Sequence, residues 1–182
     1  MKTFRPGLAL LAMAIAGGLA GCSTTTTKAA DVTATVRTAL DQAGFKDVTA
    51  VQDRDKGVVT LSGHVAADDE KLRAESVVKS IAGQQVVSNE IAVLPPGAEG
   101  DAKKVNSALD KGIESNLDAA LIRENLQSDV KYTVKNHVVT LTGDVDSQAT
   151  RRRAADAATA VPNVQQVVNE LQIKSQKATS SH

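Results

Sequence analysis

The chain has 182 residues, with 21 Lys and Arg against 21 Asp and Glu, and only three aromatic residues. This length suits one ordinary domain or two small ones. A neutral chain without aromatic stacking platforms lacks the surface of a nucleic-acid binder, so we expect no nucleic-acid partner and a core of Val, Leu, Ile and Ala.

Residues 1–21 have the composition of an export signal. Lys2 and Arg5 supply positive charge before an apolar run over residues 8–16. That run is shorter than the roughly 20 residues that span a bilayer. The segment therefore predicts a cleaved signal peptide rather than a membrane-spanning helix.

The leader ends in Leu-Ala-Gly followed by Cys22, the only cysteine of the chain. This tetrad resembles the lipobox of bacterial lipoproteins. The resemblance implies cleavage before Cys22, lipid attachment to its thiol and, with Ser23 following, retention at the outer membrane on the periplasmic side. An ordinary secretory signal with an incidental cysteine is the alternative. A single cysteine also excludes an intrachain disulfide.

An internal repeat occupies most of the remaining chain. Residues 57–93 and 137–173 align without a gap, and 12 of the 37 aligned positions are identical. The segments before them match at a larger offset, 86 instead of 80, when Val-Arg at 36–37 is set against Ile-Arg at 122–123. That alignment predicts about six additional residues in the first copy between its first helix and its second strand.

Each copy carries the signals of helix, strand, strand, helix and strand in that order. Apolar residues repeat at helical spacing in the two helices and alternate in the strands. The first copy predicts elements near 32–43, 48–54, 58–62, 68–82 and 85–93. The second predicts elements near 117–127, 130–134, 138–142, 147–160 and 164–173. The predicted fold class is α+β, with two tandem small αββαβ domains, each a three-stranded sheet with helices on one face.

The domain boundaries follow from composition. Ser, Thr and Lys dominate both ends of the mature chain, and Pro-Pro-Gly opens the segment between the copies. We predict a signal peptide at 1–21, a tether at 22–30, a first domain at 31–94, a linker at 95–114 that is helical near 101–111, a second domain at 115–174 and a disordered tail at 175–182.

The repeated motif V-V-T-L-[ST]-G-x-V, followed by a helix and V-x-N-E-[IL], resembles the BON domain. Two copies behind a lipobox resemble the dual-BON outer-membrane lipoproteins. The resemblance implies non-catalytic modules that bind phospholipid membranes or envelope proteins, and it emphasises Gly63 and Gly143. We expect both glycines to end a strand at a turn with positive φ, where a side chain would be strained.

No arrangement of residues indicates catalysis, a metal or a cofactor. The three histidines, His64, His137 and His182, are not at metal-ligand spacing. The acids Asp68-Asp69-Glu70 complement the dipole of a helix start. Glu90 and Glu170 recur, but no pocket or partner is evident for either. We expect no catalytic residue, no metal site and no cofactor.

Three consecutive cations, Arg151, Arg152 and Arg153, are expected in the first turn of a helix, where they oppose the helix dipole. One interpretation is a solvated basic face, paired with Asp156. The other is a site for anionic phospholipid, because each cation near such a membrane contributes about 1 kcal/mol. The expected function is a non-catalytic, membrane-anchored lipoprotein for envelope maintenance or stress protection, which contacts anionic phospholipid through its second domain. The alternative is a protein-binding or chaperone-like module that engages an envelope protein through an exposed last strand or sheet face.

Overall fold

A computed structural model describes residues 28–174, which form two domains of the same design. The predicted signal peptide, Cys22 and the predicted C-terminal tail lie outside the described residues. The first domain comprises α1 (Thr33–Gln42), β1 (Val48–Asp53), β2 (Val58–Val65), α2 (Asp68–Ala82), β3 (Val86–Asn89) and β4 (Ala92–Val93). The second comprises α3 (Glu99–Arg123), β5 (Val130–Lys135), β6 (Val138–Val145), α4 (Gln148–Thr159), β7 (Gln166–Asn169) and β8 (Gln172–Ile173).

The central strand of each sheet is the one that carries the V-V-T-L motif. β2 pairs antiparallel with β1 and parallel with β3 and β4, and β6 makes the same pairings with β5, β7 and β8. The predicted third strand of each copy is thus present but broken into two short pieces along the same central strand. The predicted αββαβ order and α+β class are confirmed.

The break in each third strand is held by an asparagine of the repeated Asn-Glu pair. Asn89 Oδ1 accepts a hydrogen bond from the Ile91 backbone N–H at 3.3 Å, and its Nδ2 donates to the Lys71 carbonyl of α2 at 3.2 Å. Asn169 makes the equivalent bonds to Leu171 and Arg151 at 3.2 and 3.1 Å. The asparagine therefore ties the strand to the second helix in both domains.

The helices of each domain cover one face of its sheet, and the core lies between these layers. Leu40, Leu61, Val78 and Ile91 are fully buried in the first domain. Leu121, Leu141, Ala158 and Leu171 are buried in the second. Every residue of the two cores lies between Val32 and Leu171, so a fragment of residues 23–182 retains the complete folded part.

The two emphasised glycines have the positive φ that we predicted, with values of +107° at Gly63 and +126° at Gly143. The expectation that they end a strand was wrong, because both lie inside the central strands β2 and β6. A Cβ on Gly63 would lie 1.9 Å from the Asp47 carbonyl oxygen, and one on Gly143 would lie 2.2 Å from that of Asp129. Close approach of a backbone carbonyl thus excludes a side chain at both positions.

The expected offset of 86 between the first helices was also wrong. The Phe45 N–H donates to the Leu40 carbonyl after α1, and the Leu126 N–H donates to that of Leu121 after α3. Leu126 therefore corresponds to Phe45 rather than to Leu40, an offset of 81. The sequence match was misleading because apolar residues four apart recur along any amphipathic helix. The first copy has a longer β-hairpin loop but no six-residue insertion.

The helix α3 is longer than predicted and begins inside the expected linker. It runs without interruption from Glu99, so only residues 94–98 separate β4 from a helix that continues into the second domain's core. Its buried residues, Ile113, Leu117, Ala120 and Leu121, all belong to the C-terminal half. Within residues 28–174, no helix has the length and apolar character needed to cross a membrane.

Candidate functional site

The arginine cluster lies just beyond the first three residues of α4 rather than in its first turn, where we expected it. The helix begins at Gln148, and the Ser147 side chain caps it by accepting a hydrogen bond from the Thr150 N–H at 3.1 Å. Arg151, Arg152 and Arg153 are the fourth to sixth residues of the helix, beyond the first three N–H groups. The expected placement in the first turn was therefore too early, and the dipole opposes these charges only weakly, because that effect fades beyond the first turn.

Two of the three arginines are held by the protein itself. Arg151 Nη2 donates to the Asn169 carbonyl at 3.0 Å, and its Nε is buried without a hydrogen-bond partner among the described residues. Arg153 binds Glu124, the residue that follows α3. Its Nη2 donates hydrogen bonds to the carboxylate and to the backbone carbonyl of Glu124, both at 3.0 Å. These two guanidinium groups fasten α4 to β7 and to α3, which is a structural role.

Arg152 and Arg153 are both exposed, but only Arg153 has a partner among the described residues. No hydrogen bond or ion pair within residues 28–174 involves Arg152. The expected partner of the cluster, Asp156, is exposed as well and makes no ion pair with these arginines. Of the three candidates, Arg152 is thus the one whose charge is available to a ligand.

A groove lies between α3 and α4 of the second domain. It has a volume of about 340 Å³ and is lined mainly by small apolar side chains together with Asn116 and Arg123. Arg123 directly precedes Glu124, which Arg153 contacts. Next to it in the sequence, Ile122 is 58% exposed. Within the described residues, the second domain thus offers an exposed aliphatic side chain and two exposed cations without a partner, Arg123 and Arg152.

The two domains contact each other through the ends of their third strands. Glu170 accepts a 2.6 Å hydrogen bond from Lys56 in the hairpin of the first domain. Glu90 pairs with Lys135 of the second-domain hairpin at 3.3 Å. The hydrogen bond that Lys56 donates to Glu170 raises the pKa of Lys56. The repeated glutamate thus crosses to the other domain in both copies.

A side-chain amide completes the edge of β3. Gln166 Nε2 donates to the Val87 carbonyl at 2.6 Å, and its Oε1 accepts from the Asn89 N–H at 2.9 Å. Beside it, Val58, Val138 and Val168 form an apolar cluster between the two sheets. In this arrangement the Val87 carbonyl and the Asn89 N–H on the outer edge of β3 are paired across the interdomain contact, so this part of the first domain's last strand is not a free binding edge.

A cavity of about 300 Å³ lies beside this contact and is lined by residues of both domains. Lys71 is 8% exposed and donates a hydrogen bond to Gln165 Oε1 at 3.2 Å across the interface. Burial lowers the pKa of Lys71. In the same cavity, Glu75 is held by Lys79 and Asn89, whose hydrogen bonds outweigh burial and lower the pKa of its carboxyl group.

The described part of the chain contains no group of three or more His, Cys, Asp or Glu side chains arranged to hold a metal ion. His64 is exposed. His137 lies in the interdomain contact, with its N–H bonded to Asp110 of α3 at 2.8 Å. Cys22 and His182 lie outside the described residues.

Comparison with known proteins agrees with this architecture. A sequence profile described as "BON domain" matches residues 28–95 and 109–175. The chain belongs to the BON-domain family. It is 35% identical over 146 residues to the osmotically-inducible protein Y of Escherichia coli strain K12, an alignment that covers 79% of this chain and 71% of that protein. The predicted pair of BON domains is confirmed.

Solved structures of CdsD, a structural protein of the type III secretion system of Chlamydia trachomatis, are similar at 12% identity. One covers 80% of this chain and 94% of its own with a TM-score of 0.36. The second, of the C-terminal domain, covers 79% of this chain and 97% of its own with a TM-score of 0.32.

The sequence did not predict the role of the Asn-Glu pair. Its repetition at 89–90 and 169–170 was the available signal, but the ion partners Lys56 and Lys135 do not occupy matching positions of the two copies. A contact between the two copies produces no hydrophobic periodicity within either copy, so it cannot be predicted from the pattern of one copy. The pair could have been singled out only by asking why polar residues recur in a strand whose other positions are apolar.

Proposed function

We propose that this BON-domain protein is a non-catalytic lipoprotein of the bacterial envelope that contacts anionic phospholipid through its second domain. In this proposal it is anchored by lipid on Cys22 at the outer membrane, faces the periplasm, and serves envelope maintenance or stress protection. The observation that carries the proposal is the exposed Arg152, which has no intrachain partner in the described region. The name of the osmotically inducible relative supports a stress-related role.

The attachment of the N-terminal segment supports an anchored arrangement. The Ala29 N–H donates to the Arg54 carbonyl at 2.8 Å, and Lys28 pairs with Asp55 at 3.1 Å, so the segment is fixed to the hairpin of the first domain. Five residues lie between Cys22 and Lys28, so these two residues are about 20 Å apart at most. A lipid on Cys22 would hold both domains close to the bilayer, where a high effective concentration makes a weak headgroup attraction sufficient.

The charge of the two domains supports contact through the second. Residues 31–94 contain seven Lys and Arg against ten Asp and Glu, whereas residues 99–174, counted from the start of α3, contain ten against eleven. An anionic bilayer therefore repels the first domain more strongly than the second. Exposed Ile122 beside Arg123 adds an aliphatic side chain that can enter the headgroup region.

The anchor is tested by labelling cells with palmitate. We expect the wild-type chain to incorporate label and fractionate with membranes, and the Cys22→Ser variant to do neither. A variant that still labels would show that Cys22 is not the acceptor. A wild-type chain that takes up no label would leave an ordinary secretory signal as the correct interpretation.

Lipid contact is tested separately with the unlipidated fragment 23–182 and vesicles that contain phosphatidylglycerol. We expect co-sedimentation that weakens at high salt. Arg152→Gln should lower the affinity about fivefold, and Arg123→Gln with Arg152→Gln about 30-fold, at about 1 kcal/mol per cation. Arg37→Gln is the matched control, since it removes one exposed arginine from α1 of the first domain.

Equal loss of binding in the Arg37 and Arg152 variants would indicate net charge alone rather than a site in the second domain. Absence of wild-type binding at low salt would contradict lipid contact altogether. Arg151→Gln and Arg153→Gln are poor probes because both side chains hold the fold, so a loss of binding in those variants would be ambiguous.

A protein partner is the second candidate, favoured by one observation. Val51 is 67% exposed and Val86 47% exposed on the sheet face of the first domain that carries no helix. Exposed valines on a sheet are typical of a protein-binding face. Val51→Lys should abolish capture of such a partner without affecting vesicle binding, which separates the two candidates.

A further inference from the structure

The turn between β5 and β6 lies between α3 and the first domain and contacts both. Asn136 and His137 form this turn with φ values of +46° and +68°. Their backbone N–H groups donate to the two carboxylate oxygens of Asp110 on α3, at 2.9 and 2.8 Å. The Asn136 side chain donates to the Glu90 carbonyl of the first domain at 2.7 Å. The turn is therefore a fixed part of the interdomain contact.

The imidazole of His137 lies in a place that favours its neutral form. The ring is half-buried, and Nε2 is inaccessible to solvent and has no hydrogen-bond partner within residues 28–174. Charged groups face it from two elements: Asp110 from α3, and Lys71 and Asp68 from α2. The ion pair of Lys135 with Glu90 borders the same turn. A proton on Nε2 would thus be a buried donor without an acceptor.

The electrostatic balance around the ring disfavours its charged form. Burial is the largest cause and lowers the pKa of His137, and Lys71 lowers it further, while Asp110 and Asp68 oppose both without cancelling them. When the domains separate, the ring is hydrated and its pKa returns to about 6.5. The separated state therefore binds the proton more tightly than the closed state does.

The sign of the pH dependence follows from this difference. Above about pH 6.5 the ring is neutral in both states, and the contact has its full stability. As the pH falls below that value, the separated state gains protons first, and the contact weakens until the pH passes the depressed pKa of the closed state. Carboxylates with ordinary pKa values remain charged above about pH 5, so this window belongs to histidine.

We propose that His137 makes the contact between the two BON domains sensitive to pH, so that the domains separate reversibly on mild acidification. Separation withdraws Gln166 from β3 and leaves the Val87 carbonyl and the Asn89 N–H without partners. Such an uncovered strand edge can accept an extended polypeptide. Acidification would thus convert a closed pair of domains into one with an open third strand.

The proposal is tested by energy transfer between dyes on the two domains. The fragment 23–182 has no cysteine, so Thr49→Cys in β1 and Thr133→Cys in β5 provide two exposed labelling sites. We expect transfer efficiency to change reversibly between about pH 7.5 and pH 5. The change should follow one proton and leave the far-ultraviolet circular dichroism spectrum unaltered.

His137→Gly is the decisive variant, because Gly57 occupies the equivalent position of the first domain and glycine accepts a positive φ. His137→Asn is a second neutral variant that also tolerates this backbone. In both variants the transfer efficiency should stay at the value of the closed state across the pH range. The control His64→Gln should respond like the wild type. A flat wild-type curve, or a response that persists in either folded His137 variant, would overturn the proposal.

Discussion

The two domains share a fold but begin their second helices in different ways. In the first, Glu70 at the start of α2 accepts a hydrogen bond from the Ala66 N–H at 2.9 Å, and Asp68 and Asp69 complement the dipole. In the second, Ser147 caps α4 and no acid is present in the first turn. Because a serine satisfies the helix end, the following positions are free to carry arginines. The start of α4 can therefore carry an exposed charge, that of Arg152, which does not contribute to folding.

The domains are alike in the bonds that fix their third strands and in the ion pairs that join one domain to the other. Asn89 and Asn169 make the same bonds, and Glu90 and Glu170 both reach a lysine of the other domain. Substitutions in this shared framework should therefore affect both domains, whereas substitution of Arg152 on the divergent start of α4 should affect binding alone. The predictions below test that division.

The largest effect is expected at the paired glycines. Gly63→Val and Gly143→Val should each destabilise the protein by about 3 kcal/mol, because both positions have positive φ and the Cβ would overlap a carbonyl oxygen. The measurement is urea unfolding of the fragment 23–182. As a control, Gly112→Ala in α3 meets nothing within 4 Å and should stabilise by up to about 1 kcal/mol. Tolerance of either valine would contradict the carbonyl approach.

A smaller and unequal effect is expected at the asparagines. Asn89 is 3% exposed and also donates to Glu75 at 3.0 Å, whereas Asn169 is only half-buried. Asn89→Ala should cost about 2 kcal/mol and Asn169→Ala about 1 kcal/mol, because more buried polar groups lose a partner in the first case. An equal loss of unfolding free energy in the two variants would show that the additional contacts and deeper burial of Asn89 do not matter for stability.

The smallest effect is expected at the interdomain ion pairs. Glu170→Gln should cost about 1 kcal/mol or less, since the Lys56 side chain is 37% exposed, and Glu90→Gln less than that at its longer distance. Because Glu170 raises the pKa of Lys56, this contribution is present below about pH 10.5 and is lost as the pH rises through the raised pKa. Unfolding of wild type and Glu170→Gln at about pH 8 and pH 11.5 measures it. A difference that grows with pH would contradict the sign.

Much of the fold was predictable because the repeat aligned each element with a second version of itself. The V-V-T-L strands and the second helices, including Asp68–Ala82, were placed correctly from periodicity and turn residues. The start of α3 was not, because residues 95–114 have a polar composition that suits either a solvated helix or a linker. The strand break was missed since the Asn89 bonds connect residues from different elements.

The candidate site was predictable only as a cluster of charges. The three arginines are consecutive in the sequence, but a helix points consecutive side chains in different directions. Arg151 therefore contacts β7, Arg153 contacts the end of α3, and Arg152 is exposed to solvent. Arg123 was not predicted because it lies 29 residues before Arg152 and reaches the groove only through packing of α3 on α4. Side-chain availability is a tertiary property and leaves no trace in the local sequence.

The most direct test of lipid contact through the second domain is amide nuclear magnetic resonance of the fragment 23–182 with phosphatidylglycerol bilayer discs. We predict selective signal loss near residues 122–124 and 150–153, with the equivalent helix start at 68–73 in the first domain unaffected. Phosphatidylcholine discs should cause no such loss. Signal loss centred on the first domain, or on its open sheet face around Val51, would contradict the account.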